Sequence, residues 1–394
     1  MMKHQQTALH SAIRDAGAGL ETERLVPFLK WAGGKEQELK HILPLVPPFE
    51  RFYEPFIGGG AVFFSLHPQK SFINDKSFEL CHLYRMIAQQ NAAFFDALHA
   101  LLWGWQTISK IVDREAANII GTYKKYAMSI SAEEDMVQSL LEFIEHHAAV
   151  FQTIAQAAFD RDVQNFVHEI KRNVLGKTRR MKIIEQKKGT LPDDDIVANI
   201  ECALKSAFYM HIRHLYNHRE RYEIPPSRAA ALFFFVRENA YASMFRYNRQ
   251  GQFNVPYGGI SYNRKDLARK IAYMQSPALH RLLEDTVIEN LDFEAFLHTH
   301  APAANDFIFL DPPYDSEFST YAQNAFSIKD QERLANYLIH HCKARFMLVI
   351  KNTPTIFGLY NQAHLTLRTF DKKYLVSFQD RNDRNAEHLI ITNY

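Results

Sequence analysis

The sequence predicts an α/β fold, an open and largely parallel sheet with helices on both faces. Three observations lead there. Short apolar runs of strand length alternate with amphipathic segments of helix length. A glycine triplet, Gly58-Gly59-Gly60, follows the first such run and opens a helix. Two later runs end in carboxylates, Asp75 and Asp311, and open sheets bind ligands at the carboxyl ends of their strands.

Taken in order, residues 1–24 show no periodicity and read as a loosely held tail. Arg51 to Phe56 reads as a strand running into the glycines, with Ala61 to Leu66 opening a helix. Phe72-Ile73-Asn74-Asp75 reads as the second strand. From about 81 to 230 the period changes to that of helices. Ser131-Ala132-Glu133-Glu134 matches a capping box ahead of Met136, Val137, Leu140, Leu141 and Ile144. A second helix places Val197, Ile200, Leu204, Phe208 and Met210–Ile212 near one face. Between them, Lys171 to Lys188 carries eight basic residues against the single acid Glu185, a stretch that reads equally as a solvated loop or as phosphate contacts. Met244 to Tyr262 reads as a hairpin with its turn at Arg249-Gln250-Gly251. Strands follow at Phe307–Leu310, Phe346–Ile350, Tyr374–Phe378 and His388–Thr392, with a helix over Ile328 to Cys342.

Composition bounds the function. At 394 residues the chain suits two domains, or one large core with an insertion. Hydrophobic content of 47% and charge of 23% are those of a globular protein with a sizeable core. A net charge of +2 means that any attraction to nucleic acid is local. Cys81, Cys202 and Cys342 lie far apart, which fits a reducing compartment and no zinc pairing. The N-terminus lacks the apolar core of a signal peptide, and the longest apolar run, Ala229 to Val236, is too short for a bilayer. A cytoplasmic, metal-free protein is the expectation.

The chemistry centres on Asp311-Pro312-Pro313-Tyr314, directly after the apolar run ending at Leu310. The carboxylate accepts a hydrogen bond from an amine, the Pro312 carbonyl offers a second acceptor, and the tyrosine ring can stack on a flat base. Glycines after a strand let the backbone pass close to a ligand where side chains would collide, although an isolated triplet is more often a tight turn. His211, His214 and His218 share a helical face with no acid at ligand spacing and read as a polar face. Pro192-Asp193 with Glu201 and Lys205 has the wrong spacing for a nuclease motif.

In chain order, KWAGGK (30–35), EPFIGGGAVFF (54–64), FIND (72–75), FRYNRQGQFNVPYGG (245–259), DPPY (311–314) and AEHLIITNY (386–394) resemble the Dam-type, alpha-group DNA adenine-N6 methyltransferases. The resemblance implies a Rossmann-like S-adenosylmethionine-dependent domain over 25–84 and 270–394. It also implies an enlarged, mostly helical target-recognition domain over 85–269 bearing the hairpin 244–262. The helical segment is longer than in compact relatives.

The cofactor residues it implies are Trp31, Lys35, Phe56, Gly58, Gly59, Gly60, Asp75 on ribose hydroxyls, and Asp292 with Phe293 beside the adenine ring. Lys35 would meet the methionine carboxylate or help position Glu54. The catalytic set is Asp311, Pro312, Pro313 and Tyr314, acting on a flipped adenine without covalent intermediate or metal. The DNA contacts are Tyr241, Arg246, Asn248, Arg249 and Asn254, with Arg246 as base reader. Ala242 stands where GATC-specific members carry Asn, which leaves the target sequence open. The implied partners are double-stranded DNA and a cognate restriction endonuclease, in a bacterial, archaeal or phage setting. An RNA adenine methyltransferase and a catalytically idle DNA-binding protein remain as rivals.

Overall fold

A computed structural model describes residues 24–31, 33–130, 132–158, 162–263, 265–313, 326–373 and 385–394. Its centre is a seven-stranded sheet of β1 (Phe52–Glu54), β2 (Ser71–Asn74), β3 (Thr286–Glu289), β4 (Phe307–Leu310), β5 (Arg345–Lys351), β6 (Thr366–Lys373) and β7 (Asn385–Thr392). The spatial order is β3-β2-β1-β4-β5-β7-β6. The first five run parallel, while β7 inserts antiparallel between β5 and β6. From β1 the chain moves to one side for β2 and β3, then crosses to the other for β4. The reversal opens a crevice between the carboxyl ends of β1 and β4.

Both faces of the sheet are covered, so the central strands are continuous apolar runs rather than alternating ones. One face buries Phe52, Phe307, Phe309 and Met347 against Phe63, Leu80, Tyr84 and Trp105. The other buries Tyr53, Ile308, Leu310 and Phe346 against Phe296, Leu334, Leu338 and Tyr360. The period-two alternation of Phe52/Tyr53 and Phe307/Ile308 assigns each residue to its layer.

The helices in chain order are α1 (Ala61–Leu66), α2 (Phe78–Ala88), α3 (Ala92–Arg114), α4 (Ala116–Ala127), α5 (Glu133–His146), α6 (Ala148–Ala158), α7 (Val163–Lys188), α8 (Asp193–Asn217) and α9 (Pro226–Asn239). They continue as α10 (Leu267–Met274), α11 (Pro277–Glu284), α12 (Phe293–His300), α13 (Ile328–Asn336) and α14 (Pro354–Tyr360). Helices α3 to α9 form the insertion between β2 and β3. It has no core of its own, because Phe208 of α8 and Phe235 of α9 belong to the same apolar cluster as Phe52 of the sheet. The run Ala230–Val236 is buried on every side, which explains its unbroken hydrophobicity. No described helix is long and apolar enough to cross a membrane.

Several expectations change. The basic stretch is not a loop: it is the C-terminal half of α7, with Val174, Thr178 and Met181 buried beneath it. The helix after residue 131 has Ala132 as its N-cap residue, whose N–H donates to Asp135 at 2.8 Å; Ser131 lies outside the described residues. The helix expected over 328–342 is α-helical to Asn336 and continues as a π-helical turn, Tyr337–His341. Strands β3 and β6 were not expected from the sequence, and the strand expected at Tyr374–Phe378 falls outside the described residues. The hairpin forms around antiparallel bridges Ala240–Tyr257 and Tyr247–Phe253.

Candidate active site

The tips of β1, β2 and β4 deliver three carboxylates to one end of the sheet. Glu54 is the last residue of β1, and Asp75 and Asp311 directly follow β2 and β4. After Glu54 the chain turns through Gly58 at φ 47° and Gly60 at φ 75°, left-handed values that favour glycine. A Cβ on Gly58 would lie 2.9 Å from Cδ1 of Trp31, and one on Gly60 would lie 2.8 Å from the Tyr84 hydroxyl. The turn therefore needs glycine both for its backbone and for the close approach of the KWAGGK segment.

Asp75 holds this turn. Its Oδ2 accepts the Gly58 N–H at 3.0 Å and its Oδ1 accepts the Ser77 N–H at 2.9 Å. Burial raises its pKa, and these backbone bonds oppose the rise. Asn74 bridges the strand ends, donating to the Pro55 carbonyl at 3.0 Å and accepting the Leu291 N–H at 2.8 Å.

Lys35 and Asp311 meet at 2.5 Å across 276 residues of sequence, with Lys35 3% exposed and Asp311 18% exposed. The Lys35 ammonium also donates to the Gly33 carbonyl at 3.0 Å. Glu54 lies buried beside this pair, and its Oε2 has no hydrogen-bond partner among the described residues. Burial pushes the Glu54 carboxyl well above the usual carboxylate range; the Asp311 charge adds to the shift, and Lys35 opposes it. The site thus contains one ion pair beside a buried carboxyl whose charged form burial disfavours.

Pro312 is buried and Pro313 exposed; the Pro313 carbonyl accepts from the Gln331 amide at 3.0 Å. Gln331 is fully buried, a support the sequence did not reveal. Tyr314 lies outside the described residues. Phe56 and Phe293 face each other with ring centroids 5.6 Å apart. Asp292 caps α12, accepting the Glu294 N–H at 3.1 Å, and pairs with Arg333 at 2.7 Å, while Arg333 lies 4.9 Å over the Phe293 ring. The Asp292 carboxylate is thus already engaged, by a helix terminus and a cation.

Trp31 leans on Phe245 of the hairpin, with centroids 5.2 Å apart. Beyond it, Arg246 is exposed and donates to Asn254 Oδ1 at 2.8 Å. Arg249 is exposed at the turn. Asn248 closes that turn, its Oδ1 accepting the Gln250 and Gln252 N–H groups at 3.0 and 2.9 Å. Its amide nitrogen donates to the Gln252 side chain at 3.2 Å, so the whole group serves the turn. Tyr241 is half exposed, at 50%, on a 3₁₀ turn in which Ala242 and Ser243 adopt φ of 51° and 53°. The return strand is pinned to α8, where Asn217 accepts the Phe253 N–H at 2.9 Å and Tyr209 donates to the Val255 carbonyl at 2.9 Å.

The histidine face resolves into local bonds. His211 is buried against Asn165 at 3.2 Å, His214 meets Tyr222 at 3.0 Å and Asp162 at 3.2 Å, and His218 bonds the His214 carbonyl at 2.8 Å. Asp162 is an acid the sequence spacing did not place there. Glu201 and Lys205 form an ordinary i,i+4 pair at 2.8 Å. Among the described residues, Glu115, His146 and His147 are the group whose ligand atoms come within 4.8 Å of one another, in the helical insertion.

The family model for D12 class N6 adenine-specific DNA methyltransferases matches residues 31–112 and 148–373. The Type II methyltransferase M.CviBI of Paramecium bursaria Chlorella virus NC1A is 26% identical over 93% of this chain and 99% of its own. The Type II methyltransferase M1.LlaDCHI of Lactococcus lactis subsp. cremoris is 26% identical over 79% of this chain and 75% of its own. The DNA adenine methylase of Serratia marcescens is 32% identical over 33% of this chain and 47% of its own. With the family model matching most of its length, and with a glycine turn and an Asp-Pro-Pro corner flanking the crevice of its sheet, the chain belongs to the D12 class of N6 adenine-specific DNA methyltransferases.

Proposed function

We propose that this enzyme uses S-adenosylmethionine to methylate the N6 amine of a flipped adenine at a specific duplex sequence. The observation that carries the reading is the placement of Asp311 beside the glycine turn, at the crevice where the sheet reverses. Trp31, Phe56, Gly58–Gly60, Asp75, Asp292 and Phe293 would hold the cofactor, with Lys35 at its carboxylate end. The fit is supported by Gly58, where a Cβ would strike Trp31, and by the buried Glu54 Oε2, which has no hydrogen-bond partner among the described residues. When bound, the cofactor supplies a sulfonium methyl that needs no further activation.

The residues of the chain position and polarise. The Asp311 carboxylate and the Pro312 carbonyl accept hydrogens of the amine and restore its lone pair, which the ring otherwise delocalises. Gln331 and Pro313 fix the corner. Tyr314 is assigned to stacking by its place in the sequence. A base inside a duplex is out of reach, so the target must leave the stack, with the exposed Tyr241 as the wedge.

The segments 25–84 and 270–394 form the catalytic unit in this reading, and 85–269 the recognition unit. Within the latter, Arg246, oriented by Asn254, reads a base edge, Arg249 reaches the backbone, and Asn248 shapes the turn between them. On α7, Arg179 is paired with Glu133 and Lys182 with the Tyr126 carbonyl, which leaves the exposed Lys171, Arg180, Lys187 and Lys188 for phosphate. The Type II names of two relatives support a cognate restriction endonuclease, and relatives from a bacterium, a phage and an archaeon support a bacterial, archaeal or phage-infected cytoplasm.

Tritium transfer from labelled S-adenosylmethionine to duplex DNA, single-stranded DNA and RNA tests the reading. Transfer confined to duplex DNA, with one motif carrying N6-methyladenine by single-molecule sequencing, is the expected result. Transfer to RNA alone would favour the RNA rival. Sequence-selective DNA binding without transfer would leave an idle binding protein.

A further inference from the structure

Arg237, near the end of α9, is only 2% exposed and carries a charge into the core between the two halves of the proposed site. Its Nη1 donates to the Met244 carbonyl of the hairpin at 2.8 Å, and its Nη2 to the Lys30 carbonyl of the KWAGGK segment at 3.2 Å. Its guanidinium lies 4.3 Å from the Phe245 ring centroid and 5.2 Å from that of Trp31. Its Nε has no hydrogen-bond partner, and no carboxylate forms a salt bridge with it among the described residues. Neighbouring Glu238 is committed to Lys265 and Lys270 instead.

A buried cation without an ion-pair partner is a costly way to fill space, since a well-packed apolar side chain of similar volume is often as stable or more so. What a methionine could not do is bind two carbonyls from segments 207 and 7 residues away while stacking on one aromatic ring from each. Trp31 in turn abuts the glycine turn at Gly58, and Phe245 directly precedes Arg246. The contacts therefore form an unbroken chain from Gly58 through Trp31, Arg237 and Phe245 to the exposed Arg246.

We propose that Arg237 is a positioning residue that couples the cofactor end of the site to the DNA-reading hairpin. Cofactor against Trp31 fixes the guanidinium, and with it the Met244 carbonyl and the Phe245 ring on which the approach of Arg246 depends. By linkage, the correct duplex on the hairpin tightens cofactor binding by the same factor as cofactor tightens duplex binding. The inference rests on the assignment of Trp31 to cofactor and the hairpin to DNA.

The test is calorimetry of the full-length protein with S-adenosylhomocysteine, a non-reacting probe, alone and with a saturating duplex that carries the motif found by sequencing. In the wild type the duplex is expected to tighten the probe at least fivefold, with a reciprocal effect on duplex affinity. Arg237→Met is expected to melt below the wild type, because the Met244 and Lys30 carbonyls lose their donor, and to bind the probe alone within about threefold, with the duplex effect reduced to near one. Arg237→Lys, which keeps a charge and one donor but not the fork, is expected to recover only part of the coupling.

An Arg237→Met protein that keeps the full wild-type coupling would overturn the proposal, as would a wild type in which duplex and probe ignore each other. If Arg237→Met does not fold, Arg237→Lys decides: full coupling in that variant refutes the role of the bidentate fork. A wild type that binds neither probe nor duplex would instead refute the underlying reading of the site.

Discussion

Replacing Asp311 with asparagine separates the chemistry of this site from its electrostatics. The variant keeps shape and one carbonyl acceptor but removes the charge that faces Lys35 at 2.5 Å. Losing a preorganised charged acceptor at the reacting centre should cost about 3 kcal/mol of transition-state stabilisation, roughly 100-fold in rate. Breaking a buried pair by deleting one partner usually destabilises by about 3–5 kcal/mol, because the other charge is stranded. The Asp311 charge is the second cause, after burial, of the raised Glu54 pKa, so its removal makes Glu54 easier to ionise and a partial replacement for the lost counter-charge. Asp311→Asn is therefore expected to be nearly inactive and to lose less stability than that range. Glu54→Gln blocks the replacement, so the double variant should lose more stability than the two single variants summed, by about 1 kcal/mol. Single-turnover methyl transfer gives the rates, and urea unfolding of the four proteins closes the cycle. Turnover of Asp311→Asn within a few-fold of wild type would remove it from the chemistry, and strictly additive stabilities would refute the exchange of counter-charges.

Gly58→Ala should weaken cofactor binding, because a left-handed alanine costs about 1–2 kcal/mol and its Cβ would sit 2.9 Å from Trp31; calorimetry compared with the melting temperature separates the two effects. Arg246→Ala should lose about 1–3 kcal/mol of discrimination at one position of the target, measured on single-base-changed duplexes. Lys187→Ala and Lys188→Ala should instead weaken all sequences alike and lower the salt slope by about 0.9 per lost phosphate contact. His211 is buried among Asn165, Phe166, His214 and Asp162, and burial depresses its pKa from 6.5 to about 3. Below pH 6.5 the unfolded chain takes up a proton that the folded one refuses, so stability is full above that value and falls as pH drops toward about 3, by at most about 1.4 kcal/mol per pH unit. His211→Gln should flatten that slope in urea titrations across the window, and an unchanged slope would assign it to other groups.

The sequence by itself determined the features that depend on local chemistry. Strands β4 and β5 are legible because a strand buried on both faces carries a continuous apolar run. The glycine turn is legible because only glycine adopts its dihedrals without cost beside another segment. The hairpin turn is legible from Arg249-Gln250-Gly251. Tertiary structure decided the rest. Edge strand β3 is β-branched at Thr286, Val287 and Ile288 but only four residues long and mostly accessible, and β6 carries charges along its length, so neither stands out as a buried strand; each is completed by the hydrogen bonds of a neighbour. The basic stretch is a helix because the floor it needs, under Val174 and Met181, comes from other segments. The pairing of Lys35 with Asp311, the burial of Glu54 beside that pair, and the burial of Arg237 under two rings all join residues remote in the chain. Their energies depend on distance and exclusion of water, and only the folded chain sets those two quantities.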